Sequence, residues 1–297
     1  MPDILKQTVS ASQVPALFDE SPYVTRWMLY QHFRNSAAID EDEDELMAWG
    51  TRLQPLLLQR VAADHALEVS PITEYVRLAH GPVGATLDGV IVAPDRGRGA
   101  VETKCVFNAR SWMDRWSGGR APPRDVELQL QTQMMVGDGV SPYGWGMIAA
   151  FHGGEMKYWE RAPMLNVQDE IKVRAQALLD DVRDGREPEP FGLPIETPMI
   201  AAMFPRTVRE DRIVLDSVEL AEDARMYEWA QNEVRTHQKV VDQLKPKLLF
   251  ACADSPGLVL PGVDIFVSRA EIKAATIERK AHVRVTMKVK PQGGTTP

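Results

Sequence analysis

Cysteine is scarce in this sequence, which has only two, Cys105 and Cys252, among 297 residues. Two cysteines cannot build the disulfide framework of a small secreted protein. They also fall short of the four thiolate ligands that an iron–sulfur cluster requires. The scarcity favours a protein of a reducing compartment and excludes an iron–sulfur cluster held by this chain alone.

Long apolar runs are missing as well. No stretch approaches the roughly eighteen apolar residues that a membrane-spanning helix needs. The first residues, Met1 to Asp3, lack the basic region and the apolar stretch of a secretion signal. Because 44% of the residues are hydrophobic, the chain can still bury a full core. We therefore expect a globular, cytoplasmic protein with no membrane partner.

An excess of positive charge, the usual mark of a DNA-binding protein, is also absent, since the net charge is −8. Part of the acidity is local. Residues 40–45 form an unbroken acidic run, which is typical of a solvated helix N-terminus. Basic side chains gather further along the chain, at Arg96, Arg98, Lys104, Arg110, Arg115, Arg120 and Arg124. This distribution predicts an acidic exterior with a basic cleft.

Two apolar runs carry the most informative residues. Asp88 closes the first run, Glu102 and Lys104 lie on the second, and a turn rich in Gly, Pro and Arg over residues 94–99 separates them. Residues two apart face the same side of a strand, so Glu102 and Lys104 should project together while Thr103 faces away. Two carboxylates and a lysine at one strand end form a minimal Mg²⁺ site for phosphodiester hydrolysis. A plain cross-strand charge pair is the alternative interpretation.

A series of short blocks surrounds these residues. The blocks span residues 9–14, 21–23, 49–51, 88–89, 102–105, 108–119 and 129–134. In this order they resemble the PD-(D/E)xK nuclease superfamily and, within it, the YqaJ-type viral recombinases of the phage lambda exonuclease family. The resemblance implies an α/β fold with a restriction-endonuclease-like core, in which helices flank a small mixed central sheet. We expect that core over residues 1–194, and a C-terminal appendage with a long helix and a basic strand over residues 195–297.

The resemblance also implies a role for each residue of the site. Asp88 and Glu102 would bind Mg²⁺, for which Mn²⁺ can substitute, together with the backbone carbonyl of Thr103. Lys104 would orient or deprotonate the attacking water, and Gln129 would contact that water or the scissile phosphate. From spacing alone, a helix-surface amide is the favoured interpretation of Gln129. DNA contacts are expected from Ser12, at a phosphate of the DNA end, and from Gln54, Arg110, Arg115, Arg120 and Arg124.

Two positions depart from the family pattern. Residues 50–55 keep the family's Gly-Thr-x-x-Glu-Pro spacing, but Gln54 stands where the acid is expected. A neutral amide is a weaker ligand for a hard cation, which leaves open whether one or two ions bind. Lys6 is the nearest counterpart of the arginine that reads a 5′ phosphate in the family. Recognition of the DNA end is therefore open as well.

The function implied is a Mg²⁺-dependent deoxyribonuclease that resects linear double-stranded DNA 5′ to 3′ for phage-type recombination. Its expected partners are DNA ends, a single-strand annealing protein and further copies of the same chain in a closed trimeric ring. Two alternatives stay open. One is a DNA-binding or assembly subunit of the same fold with weakened catalysis, which Gln54 would permit. The other is a Mg²⁺-dependent endonuclease of restriction type.

Apolar periodicity and turn residues predict the secondary structure. Helices are predicted over residues 12–18 with Ser12 as the N-cap, 23–33, 45–64, 126–135 and 166–184. Strands are predicted over residues 72–78, 83–92, 100–106, 145–152 and 155–161.

A different pattern follows the proline-rich segment 187–205. Apolar residues recur every seven positions, at Leu220, Tyr227, Val234, Val241 and Leu248. This spacing indicates a long helix with one apolar seam, which we expect to lie against its own domain rather than to form a dimerising zipper. Pro246 should end or kink that helix. Residues 283–290 alternate apolar with polar or basic side chains and predict an edge strand or a DNA-contacting one.

Overall fold

A five-stranded mixed sheet forms the centre of the N-terminal part of the molecule. The computed structural model describes residues 8–35, 45–205, 215–260 and 263–266. The strands are β1 Val9–Ser10, β2 Glu68–Pro71, β3 Tyr75–Arg77, β4 Val83–Thr86, β5 Gly89–Ala93, β6 Gly97–Cys105, β7 Gly146–His152, β8 Glu155–Arg161, β9 Gly257–Leu260 and β10 Val263–Phe266. The α-helices are α1 Arg26–Asn35, α2 Glu45–His65, α3 Ala109–Asp114, α4 Arg124–Val136, α5 Leu165–Asp184, α6 Thr197–Met203 and α7 Val218–Cys252.

The central sheet has the strand order β2-β5-β6-β7-β8. Only β6 and β7 in this sheet run parallel, and the other neighbours are antiparallel. Side chains alternate between the two faces of the sheet along each strand, and apolar residues occur on both faces. On one face Val101 and Met147 pack with Leu58 of α2, and on the other Ala100 and Ile148 share a core with α4. The predicted class, a small mixed sheet with flanking helices, is confirmed.

The predicted strand over residues 83–92 is divided between two sheets. β4 belongs to a small sheet of order β1-β4-β3, in which Val9 pairs with Val83, whereas β5 belongs to the central sheet. Leu87 is buried at the break, and Asp88 turns its carboxylate towards the backbone of β6. The prediction of one continuous strand was wrong, because an apolar run does not reveal where the chain changes sheets.

The N-terminal helix also differs from its prediction. It is a short 3-10 helix, Val14–Phe18, that begins after Gln13 and has no side-chain cap. Ser12 is exposed, and its hydroxyl lies 3.0 Å from that of Ser10 instead of at a helix N–H. The prediction of Ser12 as the N-cap was therefore wrong. Pro15, in the first turn, removes one of the backbone N–H groups that a cap would serve.

The described structure divides into two units, Met1–Met203 and Phe204–Pro297. The first unit includes residues 191–203, because buried Glu196 accepts hydrogen bonds from Thr25 at 2.7 Å and from the backbone N–H of Gly192 at 2.9 Å. The sequence boundary at residues 194–195 stays a prediction.

The long helix α7 is the main element described in the second unit. It begins after Ser217, whose hydroxyl accepts a hydrogen bond from Leu220 N, and it continues through Pro246 to Cys252. Of the two outcomes predicted for Pro246, an end of the helix is therefore contradicted, and a kink stays a prediction. The side chains of the apolar seam are exposed, from 36% at Tyr227 to 68% at Val234. The expected burial of this seam is therefore not seen among the described residues. Strands β9 and β10 pair as an antiparallel hairpin. The predicted strand over residues 283–290 lies outside the described residues, within which no helix could span a membrane.

Candidate active site

Glu102 lies fully buried in the middle strand of the central sheet. Its side chain points towards α4 between two partners. The Lys104 ammonium is 2.5 Å from Oε1 as an ion pair, and the Gln133 amide donates a hydrogen bond of 2.5 Å to Oε2. Glu102 and Lys104 thus share one face of β6, because residues two apart on a strand point to the same side of the sheet.

The environment of Glu102 disfavours its charge. Burial is the largest cause, and the nearby charge of Asp88 is the next, and together they raise the pKa of Glu102 to about 7. Lys104 and Gln133 act in the opposite direction without cancelling this effect. The Oε1 atom is buried and accepts no hydrogen bond of good geometry, although the Lys104 charge is close to it. A carboxylate in this state gains from any cation that binds Oε1.

Asp88 stands just before β5, next to β6. The antiparallel register pairs Gly89 with Val101, which brings Asp88 beside the following residues of β6. Asp88 Oδ2 accepts hydrogen bonds from the backbone N–H and from the hydroxyl of Thr103, both at 2.7 Å. Thr103 faces away from Glu102 and Lys104, yet its side chain does contact the site, through Asp88.

Gly89 allows the chain to come this close to its neighbours. A Cβ added there would lie 3.0 Å from the carbonyl oxygen of Ser70 and 3.2 Å from Leu58 of α2. Both distances are at or below the limit of ordinary contacts, so a larger residue would push β5 away from β2 and α2. The glycine after Asp88 therefore fixes the position of that carboxylate.

Lys104 completes the group. Its ammonium lies 3.2 Å from Gln129 Oε1 and forms the ion pair with Glu102. Burial alone would lower the pKa of Lys104, but the negative charges of Glu102 and Asp88 outweigh it and raise that pKa. The amine therefore stays protonated, which suits charge compensation better than removal of a proton.

Helix α4 contributes two amides to the site. Gln129 and Gln133 are one turn apart and both face β6, whereas Gln131 points elsewhere and binds Ala162 O and Met164 N. Sequence reasoning named Gln129 but missed Gln133. The i, i+4 spacing of the two glutamines was the available signal, because such residues share a helix face.

The predicted DNA-contacting arginines are mostly paired. Arg110 pairs with Asp114 at 3.2 Å, Arg115 pairs with Asp125 at 2.7 Å, and Arg120 donates to Ser117 O at 2.9 Å. Arg124 is exposed and has no ion pair within the described ranges. It lines an open cleft of about 390 Å³ together with Arg115, Asp125 and residues 19–22.

Asp125 couples this cleft to the site, because its negative charge is one of those that raise the pKa of Lys104. Arg96 and Arg98 do not belong to it. They stand at the far end of β6 and pair with Glu160 and Asp138.

Ser12 and Gln54 make no recorded contact with the carboxylates among the described residues. Ser12 is exposed beside Ser10. Gln54 is half-buried on α2, one turn before Leu58, whose side chain packs close to Gly89. Gln54 therefore occupies a helix face directed at the strand that follows Asp88, although the structure records no hydrogen bond between them.

The arrangement fits a hard divalent cation. Asp88 and Glu102 offer two carboxylates, and the strand between them can add the carbonyl oxygen of Thr103. No cluster of three or more His, Cys, Asp or Glu side chains occurs in the part of the chain that the structure describes. A cation here would therefore keep several waters, which is the usual behaviour of Mg²⁺. The buried Oε1 of Glu102, which has only the Lys104 ammonium beside it, is the atom that such an ion would bind.

Comparison with known proteins agrees with this geometry. Residues 3–139 match the YqaJ-like viral recombinase domain, which confirms the resemblance seen in the sequence. Curated protein sequences give no significant match. The fold is similar to that of LHK-Exo in complex with dAMP, with TM-score 0.50 and 19% identity, covering 67% of this chain and 95% of that one. It is equally similar to an alkaline exonuclease (LHK-Exo) from Laribacter hongkongensis, with TM-score 0.50 and 18% identity, covering 69% and 97%.

Proposed function

Since residues 3–139 match the YqaJ-like viral recombinase domain, we propose that this chain is a Mg²⁺-dependent exonuclease. It resects linear double-stranded DNA 5′ to 3′ for phage-type recombination. One observation carries the proposal: Asp88, Glu102 and Lys104 meet at one end of two paired strands. The similar LHK-Exo was obtained in complex with dAMP. A deoxynucleoside monophosphate is what remains when an exonuclease hydrolyses DNA one linkage at a time.

Each residue has a separate task in this reaction. Asp88, Glu102 and the Thr103 carbonyl hold the cation, and Mn²⁺ can replace Mg²⁺ there. When bound, the ion supplies Lewis acidity towards the scissile phosphate. Lys104, kept protonated, orients the attacking water and offsets the negative charge that grows on the phosphate as the bond to the 3′ oxygen breaks. Gln129 holds the Lys104 ammonium in position.

The proposal extends to partners. We infer that the substrate is a DNA end, that the chain acts in the cytoplasm of a bacterial host, and that a single-strand annealing protein receives the product. Arg115 and Arg124, in the cleft beside the site, are the arginines best placed for phosphate contacts. Arg110 and Arg120 are more distant candidates. Ser12 stays a proposed contact of the terminal phosphate. Gln54 stays a proposed DNA contact near the cation.

A weakened DNA-binding subunit is the second candidate, and Gln54 is the observation in its favour. A restriction-type endonuclease is the third, since the strand geometry alone does not exclude internal cutting. The complete set of Asp88, Glu102 and Lys104 favours an active enzyme over a subunit without turnover.

One assay tests the proposal. End-labelled linear duplexes with a 5′ phosphate or a 5′ hydroxyl, and a covalently closed circle, are incubated with the full chain and Mg²⁺. We expect release of mononucleotides from linear DNA only, lost with chelator. The Glu102→Gln and Lys104→Ala variants should stay folded and lose activity by a factor on the order of 10² or more, because each removes an electrostatic contact to the reacting phosphate or its ion. Nicking of the closed circle at a similar rate would favour the endonuclease, and inactive wild-type protein that binds DNA would favour the subunit.

A further inference from the structure

Both carboxylates of the site are anchored through one oxygen. Asp88 Oδ2 accepts two hydrogen bonds of 2.7 Å from Thr103. Glu102 Oε2 accepts one of 2.5 Å from Gln133. Of the remaining oxygens, Asp88 Oδ1 accepts no hydrogen bond among the described residues, and Glu102 Oε1 contacts the Lys104 ammonium as an ion pair at 2.5 Å. The same division of roles between two oxygens thus occurs twice in one site.

We propose that Gln133 and Thr103 are positioning residues that determine which oxygen of each carboxylate faces the cation. The inference rests on the proposed function, because it presupposes that an ion binds there. A carboxylate that can rotate presents either oxygen, and ordering it on binding weakens the affinity. A donor fixed on one oxygen removes that freedom before the ion arrives, so Gln133 and Thr103 set the orientation of the carboxylates without touching the ion through their side chains.

Gln133 is the stronger of the two anchors. Both Gln133 and Glu102 are completely buried, at 0% exposure, where a hydrogen bond to a charged acceptor is short and strong. To an ionised Glu102, the form that binds a cation, the amide can present only its NH₂ group, since its carbonyl would place two acceptors together. The carbonyl oxygen of Gln133 is itself buried without a partner, so the bond to Glu102 alone fixes the amide's orientation.

Gln131 provides a matched control on the same helix. It has the same side chain and the same complete burial as Gln133. Its amide, however, donates to Ala162 O at 3.1 Å and accepts from Met164 N at 2.8 Å. Replacing Gln131 therefore loosens the link between α4 and residues 162–164 and leaves the carboxylates alone.

The test measures binding of Mn²⁺ to the full chain without DNA, by titration calorimetry, together with thermal unfolding. Gln133→Met, which keeps the volume and removes the donor, should weaken Mn²⁺ binding about 10–100-fold. Gln131→Met should lower the midpoint of thermal unfolding and leave Mn²⁺ affinity unchanged. Thr103→Val should also weaken binding, and Thr103→Ser, which keeps the hydroxyl, should restore it.

Wild-type Mn²⁺ affinity in both Gln133→Met and Thr103→Val would overturn the inference. Equal losses of affinity in Gln131→Met and Gln133→Met would do the same, since the effect would then belong to the helix as a whole. If Gln131→Met does not fold, the comparison of Thr103→Val with Thr103→Ser decides. A wild-type chain that neither binds Mn²⁺ nor degrades DNA would instead overturn the proposed function.

Discussion

Glu102 places a carboxylate inside the sheet, beside Lys104 and Gln133. Burial first, and then the charge of Asp88, raises the pKa of Glu102 from 4.5 to about 7. In the absence of a cation, the folded protein holds a proton on this carboxyl more tightly than the unfolded chain does. Binding of an ion and binding of that proton therefore compete at the same group.

We expect the metal-free protein to lose stability as the pH rises. The pKa of Glu102 is higher in the folded state, so its contribution is fully present below pH 4.5 and is lost as the pH rises through about 7. The loss amounts to about 3 kcal/mol at most. Urea unfolding at pH 5 and pH 8 with chelator should show it, and Glu102→Gln, which cannot titrate, should remove that part of the difference.

Addition of Mg²⁺ at pH 8 should restore stability to the wild-type protein and not to the Glu102→Gln variant. Identical pH dependence in the two proteins would show that Glu102 titrates normally and that its burial has no such effect.

At the scale of secondary-structure elements, α2 is the helix whose contribution to the site is least complete. Gln54 lies on its inward face, one turn from Leu58, where the family pattern has an acid. We expect Gln54→Glu to lower the Mg²⁺ concentration for half-maximal activity by about fivefold or more. That factor corresponds to the ~1 kcal/mol attraction between unit charges about 4 Å apart in water.

Gln59→Glu is the control. Gln59 is exposed on the same helix, and its replacement by Glu adds the same negative charge. Mg²⁺ titrations of both variants give the comparison. If both shift the Mg²⁺ dependence equally, the effect is a general one of charge, and Gln54 does not lie near the cation.

Most elements could be predicted from the sequence, but their connections could not. The long helices α2 and α5 follow from periodic apolar residues, because that periodicity reflects one buried face. The break at Leu87 and Asp88 could not be predicted, since both halves of the run are equally apolar and only tertiary contacts separate β4 from β5. The 3-10 helix after Ser12 has a similar cause, because its short length gives no period to detect.

The same distinction applies to the site. Strand alternation was enough to place Glu102 and Lys104 together. The i, i+4 spacing shows that Gln133 shares a helix face with Gln129, but Gln133 was missed because its contact with Glu102 depends on how that face of α4 packs across β6. The basic cleft stays a prediction. The cleft beside Arg124 is lined by Asp19, Glu20 and Asp125 as well as by Arg115 and Arg124, and Arg96 and Arg98 lie at the far end of the strand and pair there.

At the scale of the whole molecule, the proposed function requires an acidic chain of net charge −8 to act on a polyanion. We expect a closed ring of about three chains, because repeated heterologous contacts close most simply by cyclic symmetry and a ring confines DNA to one lining. Light scattering should give a mass of about three chains. Degradation of linear duplex should be processive, and its rate should fall with salt as Lys and Arg release counterions from the DNA.

The salt dependence can be tested at a single surface residue, Arg124. Arg124→Ala should weaken binding and reduce the salt dependence, because Arg124 is exposed beside the site without an ion pair in the described structure. A stable monomer that degrades linear duplex processively would overturn the ring while leaving the nuclease in place.

The contact between Asp88 and Thr103 has a consequence for the order in which the protein is built. It spans 15 residues and is closed by one hairpin, whereas the contact of Gln133 with Glu102 spans 31. Short loops close faster and at lower entropic cost than long ones. During synthesis, β5 and β6 leave the ribosome before α4. The two carboxylates can therefore meet in the nascent chain first, and the amides of α4 reach a pair that already exists.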